Sequence, residues 1–238
     1  NITVYPLPPL LLKKLDQGWA RRYDQARIAR RIQTVMARRH FREPVLWFTT
    51  PENVFLVVHL AYRCLVYDCH REWDGLPLDW ESDLTAAADV VFAASPGLRD
   101  RLRPCSDNIA LLPNGANPQM FLRDDLEPPE AVRALSRPVF ARVGDLTADL
   151  ELAPLVHTAQ RRPQWTFLLL GRVSQHALQA LSPLPNVTLA GPVPVVELPD
   201  CLSGCQVLFD LVHSRRRGSD VVPGRIYEYL STGKPIVA

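Results

Sequence analysis

Nowhere in the 238 residues do apolar positions run for the roughly 18 that a membrane-spanning helix needs, so the sequence offers no membrane span. No secretory signal marks its start. Cysteine is sparse and odd in number: Cys64, Cys69, Cys105, Cys201 and Cys205 give no disulfide scaffold. Cys201 and Cys205 stand one turn apart on a predicted helix, and no second Cys or His pair follows to complete a zinc site. They read as buried free thiols of a reducing cytosol. Excess charge is slight, at +2, and nucleic-acid motifs are missing, which argues against a nucleic-acid partner. Internal repeats and low-complexity segments are absent as well. Gly233-Lys234 is not a phosphate-binding P-loop, because the upstream glycine is missing and Pro235 stands where Ser or Thr is needed. No Asp-x-Asp metal motif occurs, and no obligatory metal is expected.

What is present is an ordinary globular composition, 47% hydrophobic and 22% charged. Apolar strand-like runs alternate with helical patterns, which predicts parallel sheets with crossover helices. Strands are expected over 2–5, 44–49, 64–69, 90–94 and 109–112, with helices over 18–39, 51–59, 80–87 and 96–102. A second series follows, with strands over 139–144, 165–171, 187–190 and 207–211 and helices over 150–161, 175–181 and 196–202. The charged, proline-containing stretch after Asn114-Gly115-Ala116-Asn117-Pro118 reads as a linker. The expected division is 1–118, a linker at 119–137, and 138–238: an α/β protein of two Rossmann-like domains facing a cleft. Both ends fall in or near strands, and the chain is expected to be a fragment with both domains incomplete.

The last twenty residues carry the most chemistry. Ser219-Asp220-Val221-Val222-Pro223-Gly224-Arg225-Ile226-Tyr227-Glu228-Tyr229-Leu230 predicts a helix with Pro223 in its first turn and Asp220 or Ser219 as caps. Thr232-Gly233 with Pro235 ends it. Free amides at the helix start suit an anion. Glu228 lies about one turn further along, on the face opposite Ile226 and Leu230, and could clasp a pair of ligand hydroxyls. The alternative is an amphipathic helix with a solvated Glu.

Asp220-x7-Glu228 followed by Tyr229-Leu230-Ser231-Thr232-Gly233-Lys234-Pro235-Ile236-Val237 resembles the donor signature of retaining GT-B glycosyltransferases of the family 4 type. Leu112-Pro113-Asn114-Gly115-Ala116-Asn117 with Phe121 is similar to that family's interdomain connection. Asp89-Val90-Val91-Phe92-Ala93-Ala94-Ser95 is similar to one of its strands. The resemblance implies a transferase moving a sugar from a nucleotide-sugar donor (UDP-, GDP- or similar) to a glycan, lipid-linked or cell-envelope acceptor, with retention. It implies that Glu228 holds the donor ribose and Asp220 the transferred sugar, although the family's usual residue at 220 is Glu. It also implies a basic residue after the first glycine of the second domain, where this chain has Asp145.

The diphosphate must then find its charge elsewhere. Candidates are Arg225 first, then Arg142, Arg172 and the run Arg215-Arg216-Arg217, with Gly144 and Gly171 as loop glycines and Tyr227 beside them. Each glycine could equally be a plain turn. In the first domain, Asp68-Cys69-His70-Arg71-Glu72-Trp73-Asp74 follows an apolar strand. His70 or Asp68 is the candidate for an acceptor-side or base role, and an ordinary polar loop is the alternative. Residues 13–42 hold ten Lys or Arg against Asp16 and Asp24, with an apolar stripe at Ile28, Ile32, Val35 and Met36. They could touch anionic membrane from the cytoplasmic side. A core stripe with a solvated basic face is the favoured reading. A sugar-nucleotide epimerase of the same fold and a degenerate, non-catalytic binding domain are the competing functions.

Overall fold

The computed structural model describes residues 3–7, 18–73, 75–213 and 220–238. Among the described residues the pairings between strands are parallel, as crossover connections require. The chain divides into two compact units, Asn1–Pro113 and Asn114–Ala238.

In the first unit α1 (Gly18–Arg38) precedes β1 (Val45–Phe48), β2 (Cys64–Cys69), α2 (Leu78–Ala87), β3 (Val90–Ala93), α3 (Pro96–Leu102) and β4 (Ile109–Leu111). The strands lie side by side in chain order. Local chemistry sets α3: Ser95 Oγ accepts from the Leu98 N–H, and Pro96 occupies the first turn, where its missing N–H is not needed. Residues 51–59, expected as a helix, form a 3₁₀ helix begun by Thr50, whose hydroxyl accepts from the Glu52 N–H. The strand expected over 2–5 does not form at residues 3–5. Tyr5 and Leu7 instead line a cavity with Ile32, Val35, Met36 and Phe41, and Val4 is exposed. Positions 1–2 of that expectation lie outside the described residues.

A buried polar knot joins this unit's layers. Glu81 on α2 accepts from the Tyr67 hydroxyl (2.8 Å) and the Cys69 thiol (3.4 Å) of β2, and from Arg101 of α3. Burial pushes the Cys69 thiol up to about 12, so it stays protonated and inert.

The second unit holds α4 (Glu130–Arg133), β5 (Val139–Val143), α5 (Ala153–Arg161), β6 (Thr166–Leu170), α6 (Gln175–Leu181), β7 (Val187–Gly191), α7 (Leu198–Ser203), β8 (Val207–Phe209), α8 (Gly224–Ser231) and β9 (Ile236–Val237). Its strand order is β7-β6-β5-β8-β9. The chain moves outward from β5 to β7, then crosses back to β8 on the other side. That reversal makes a crevice at the carboxyl ends of β5 and β8, where open α/β sheets take ligands. All five residues of β6 are buried, as its unbroken apolar run predicts. Alternation sends Leu168 and Leu170 into one core with Leu202, Leu208 and Tyr229. Phe167 and Leu169 enter the other, with Leu155, Leu181 and Phe209.

The stretch 119–137 is part of this second unit. Phe121 and Val132 are buried in its core, and Met120 and Leu135 pack against it. Their apolar side chains explain why the compact unit begins at Asn114 and not after the charged segment.

Candidate functional site

At the carboxyl end of β5 the chain reads Arg142-Val143-Gly144-Asp145. Beyond β8 it reads Asp210, and α8 then opens with Gly224-Arg225. The structure brings these three ends together. Asp210 lies between two guanidinium groups: its Oδ1 accepts from Arg142 Nε at 3.1 Å and its Oδ2 from Arg225 Nε at 2.8 Å. The Leu211 N–H donates to Oδ1 as well, at 2.8 Å. Arg142 is fully buried, and its Nη1 donates to the Gly144 carbonyl at 2.8 Å. Burial pulls its pKa down, and the charge of Arg225 pulls it further. Two cations against one carboxylate leave a net charge of about +1 at the switch point.

Gly144 and Gly171 have distinct reasons to be glycine. Gly144 sits at φ +116°, and a Cβ there would lie 3.2 Å from Arg225 Nη1, so the arginine rests on the glycine. At Gly171 a Cβ would lie 2.4 Å from the Gly144 carbonyl oxygen. Close approach of the β5 and β6 ends, not a ligand, accounts for that glycine.

The start of α8 differs from the expected one: Pro223 is the N-cap and not the first helical residue, and as the N-cap it supplies no side-chain cap. Asp220 is exposed, three residues ahead of it. Ser219 and the Arg215-Arg216-Arg217 run lie outside the described residues. Helix α8 is instead fixed from within. The Tyr229 hydroxyl, fully buried, accepts the Val143 N–H at 2.7 Å, because β8 pairs with β5 only at Phe140 and Ala141 and leaves that amide without a strand partner. Asn114 Nδ2 donates to the Val222 carbonyl at 3.0 Å, tying the Pro-Asn-Gly segment to the approach of α8. Lys234 donates to the Ser203 and Cys205 carbonyls at the end of α7, which is structural work.

Glu228 is half-buried and has no hydrogen-bond partner among the described residues. Desolvation raises its pKa, and Arg225, one turn earlier, opposes the rise. A cavity of about 200 Å³ opens beside Arg225, lined by Asp210, His213, Val221, Pro223 and Ile226. Glu228 does not line it. His213 closes part of its rim: its Nδ1 meets Asp149 Oδ2 at 3.2 Å, and the adjacent Val212 carbonyl accepts the Glu151 N–H.

Three of the predicted candidates stand differently. Arg142 is not available to a ligand, since its side chain is wholly buried. Arg172 is 80% exposed and spent on Asp145, to which it donates through Nε at 3.0 Å and Nη2 at 2.6 Å. That pair holds the Asp145 carboxyl below its usual range and cancels the negative charge behind Gly144. Tyr227 lines a separate open groove with Gly115, Pro118, Leu122 and Leu230, away from Arg225, because it sits about 200° round the helix from position 225. The residues that sequence reasoning missed are Asp210, Tyr229 and His213. An acid directly after the apolar strand Val207–Phe209, before the key helix, was the available signal for Asp210.

In the first unit Asp68 lies near the end of β2 and accepts from the Trp47 indole at 3.2 Å. His70 follows the strand, edge-on to Trp73 at 5.6 Å between ring centres, and Arg71 stacks over the same Trp73. The stripe on α1 faces inward: Ile28 is buried, and Ile32, Val35 and Met36 line the cavity under residues 3–7. Arg22, Arg30, Arg31 and Arg38 are exposed. Lys13, Lys14, Asp16 and Asp74 lie outside the described residues. No helix among the described residues is long and apolar enough to cross a membrane.

No family model matches the chain. It is 23% identical over 216 residues to TuaH of Bacillus subtilis (strain 168), named as a teichuronic acid biosynthesis glycosyltransferase, covering 81% of this chain and 54% of TuaH. Among solved structures, Anabaena HepE in complex with UDP and glucose matches 87% of this chain and 62% of its own, at TM-score 0.67 and 17% identity. Sucrose-phosphate synthase of Thermosynechococcus elongatus matches 93% of this chain and 62% of its own, at TM-score 0.69 and 16% identity. A UDP-N-acetylglucosamine 2-epimerase of Listeria monocytogenes shares the fold less closely, at TM-score 0.59 and 13% identity. The chain thus spans little more than half of TuaH and under two thirds of HepE and the synthase. In architecture it is a GT-B protein: two Rossmann-like α/β units, each built on a parallel sheet.

Proposed function

We propose that the protein transfers a sugar from a nucleotide-sugar donor to a glycan, lipid-linked or cell-envelope acceptor, and that the donor docks in the second unit. The observation that carries this reading is the switch point itself, with Arg225 resting on Gly144 at the start of α8 and, one turn in, a half-buried Glu228 without a hydrogen-bond partner among the described residues. In this reading the donor diphosphate meets the Arg225 guanidinium and the first amides of α8. Glu228 accepts the ribose hydroxyls, and Asp220 contacts the transferred sugar. The anomeric C–O bond breaks, the nucleoside diphosphate leaves with the bonding pair, and the acceptor oxygen bonds to the same carbon. With retention, the acceptor proton passes to a leaving phosphate oxygen, so the protein mainly positions reactants and stabilises the departing charge.

His70 and Asp68 are proposed on the acceptor side. The UDP and glucose bound by HepE make UDP-glucose the first donor to try, and the naming of TuaH makes an anionic cell-envelope polymer the first acceptor. The exposed arginines of α1 are proposed to rest on anionic membrane from the cytoplasmic side. Sedimentation with vesicles should then require anionic lipid and vanish in an Arg22, Arg30, Arg31 to Ala variant.

A thermal-shift panel of UDP-, GDP-, ADP- and dTDP-sugars tests the donor site, since a ligand that binds only the native state raises Tm by mass action. One nucleotide class should stabilise the intact protein, and labelled sugar from that donor should enter an acceptor. No shift from any of them would contradict the reading. Epimerised donor formed without acceptor would favour the epimerase.

A further inference from the structure

Asp210 has no role in the donor chemistry just described, yet it organises that site. We propose that Asp210 is a positioning residue: it grips Arg225 by Nε alone and so aims both Nη groups at the donor diphosphate, while Arg142 anchors Asp210 from below. The proposal rests on the donor site proposed above.

The geometry is specific. Asp210 side-chain exposure is 9% and Arg142 exposure is zero, so the anchor is out of water, whereas Arg225 keeps 20% exposure. Asp210 Oδ1 is saturated by Arg142 Nε and the Leu211 N–H. Only Oδ2 is left for Arg225, and it takes Nε. Among the described residues neither Nη of Arg225 has a hydrogen-bond partner, and Nη1 lies 3.2 Å from where a Cβ on Gly144 would stand, at the carboxyl end of β5. A guanidinium held edge-on by Nε presents its other four N–H donors as a fork, the shape that suits a phosphate. The Asp210 backbone is itself fixed, because its N–H donates to the Val237 carbonyl of β9 at 2.8 Å. Arg142 Nη2 is buried with no partner among the described residues. An orphaned donor of this kind destabilises a fold, so the cluster is poorly explained as structural reinforcement alone.

A double-mutant cycle in the intact protein tests this. Calorimetric titration with UDP, GDP, ADP and dTDP first identifies the nucleotide that binds the unaltered protein. The same titration follows for Asp210→Asn, Arg225→Ala and the double variant. Asp210→Asn should weaken binding at least tenfold, and it should have no further effect once Arg225 is Ala, because its influence passes through that side chain. The matching nucleoside without phosphate should bind all four proteins alike. Additive losses, or equal weakening for the nucleoside, would show a general structural role and overturn the proposal. If Asp210→Asn does not fold, the paired Arg142→Met/Asp210→Leu variant removes the buried ion pair as a unit, which folds commonly tolerate. Wild-type-like nucleotide affinity in that variant would overturn the proposal too. Failure of the unaltered protein to bind any of the four nucleotides would contradict the donor site itself, a different result from binding that ignores Asp210.

Discussion

Glu228 is the residue on which the donor reading leans hardest, and its electrostatics give a testable signature. Its pKa is raised chiefly by desolvation, so the native state binds its proton more tightly than the unfolded chain does. Stability from this group is therefore greatest when it is protonated, and falls as pH rises from the unfolded pKa through the raised native one. Glu228→Gln should leave Tm at pH 7 unchanged or slightly higher, and any gain should fade as pH drops into the carboxylate range. Donor affinity should move the other way. On the proposed role of Glu228, an ionised acceptor for the ribose hydroxyls, binding should weaken below the raised pKa, and Glu228→Gln should lose tenfold or more at pH 7. Equal donor turnover in Glu228→Gln would argue against the site. Tyr229→Phe makes a separate case: it strands the Val143 N–H, which should cost about 1–3 kcal/mol in denaturant unfolding. Single residues were the least legible scale. The sequence marks Glu228 and Arg225 by spacing from the helix start, whereas Arg142 and Asp210 meet through the pairing of β5 with β8, 68 positions apart, and Tyr229 reaches Val143 across 86 positions where that pairing ends.

At the level of elements, the signals that could be read were local ones. Cys64–Cys69, Pro96–Leu102 and Gln175–Leu181 match their expected bounds because caps, prolines and apolar runs fix them within a few residues. What local signals could not supply was packing. The segment 119–137 reads as a charged linker, yet Phe121 and Val132 carry it into the second core, and residues 3–5 read as a strand although Val4 is exposed and Tyr5 lines a cavity beside α1. The ends of β5 and β6 give the sharpest prediction at this scale. Gly171→Ala would push a methyl into the Gly144 carbonyl, and relief requires the two strand ends to part. We expect a loss of about 1–3 kcal/mol in stability and weaker nucleotide binding, since Gly144 supports Arg225. Wild-type affinity in a stable Gly171→Ala protein would show that the β5 loop does not shape the site.

For the molecule as a whole, the fold narrows function without choosing it, because transferases and 2-epimerases both stand among its structural neighbours. The choice rests on the chemistry at the β5–β8 switch point. Each unit should report its own ligand: donor nucleotide should perturb the second, and the region around Asp68 and His70 should respond to acceptor. Hydrogen–deuterium exchange on the intact protein, with and without the nucleotide that the thermal panel selects, decides whether the donor docks at the β5–β8 switch point. Docking there should slow exchange at the Gly144–Leu146 loop and through the first turn of α8, from Gly224 to Glu228. Tight binding that leaves both segments unprotected, with the changes falling elsewhere in the chain, would contradict it.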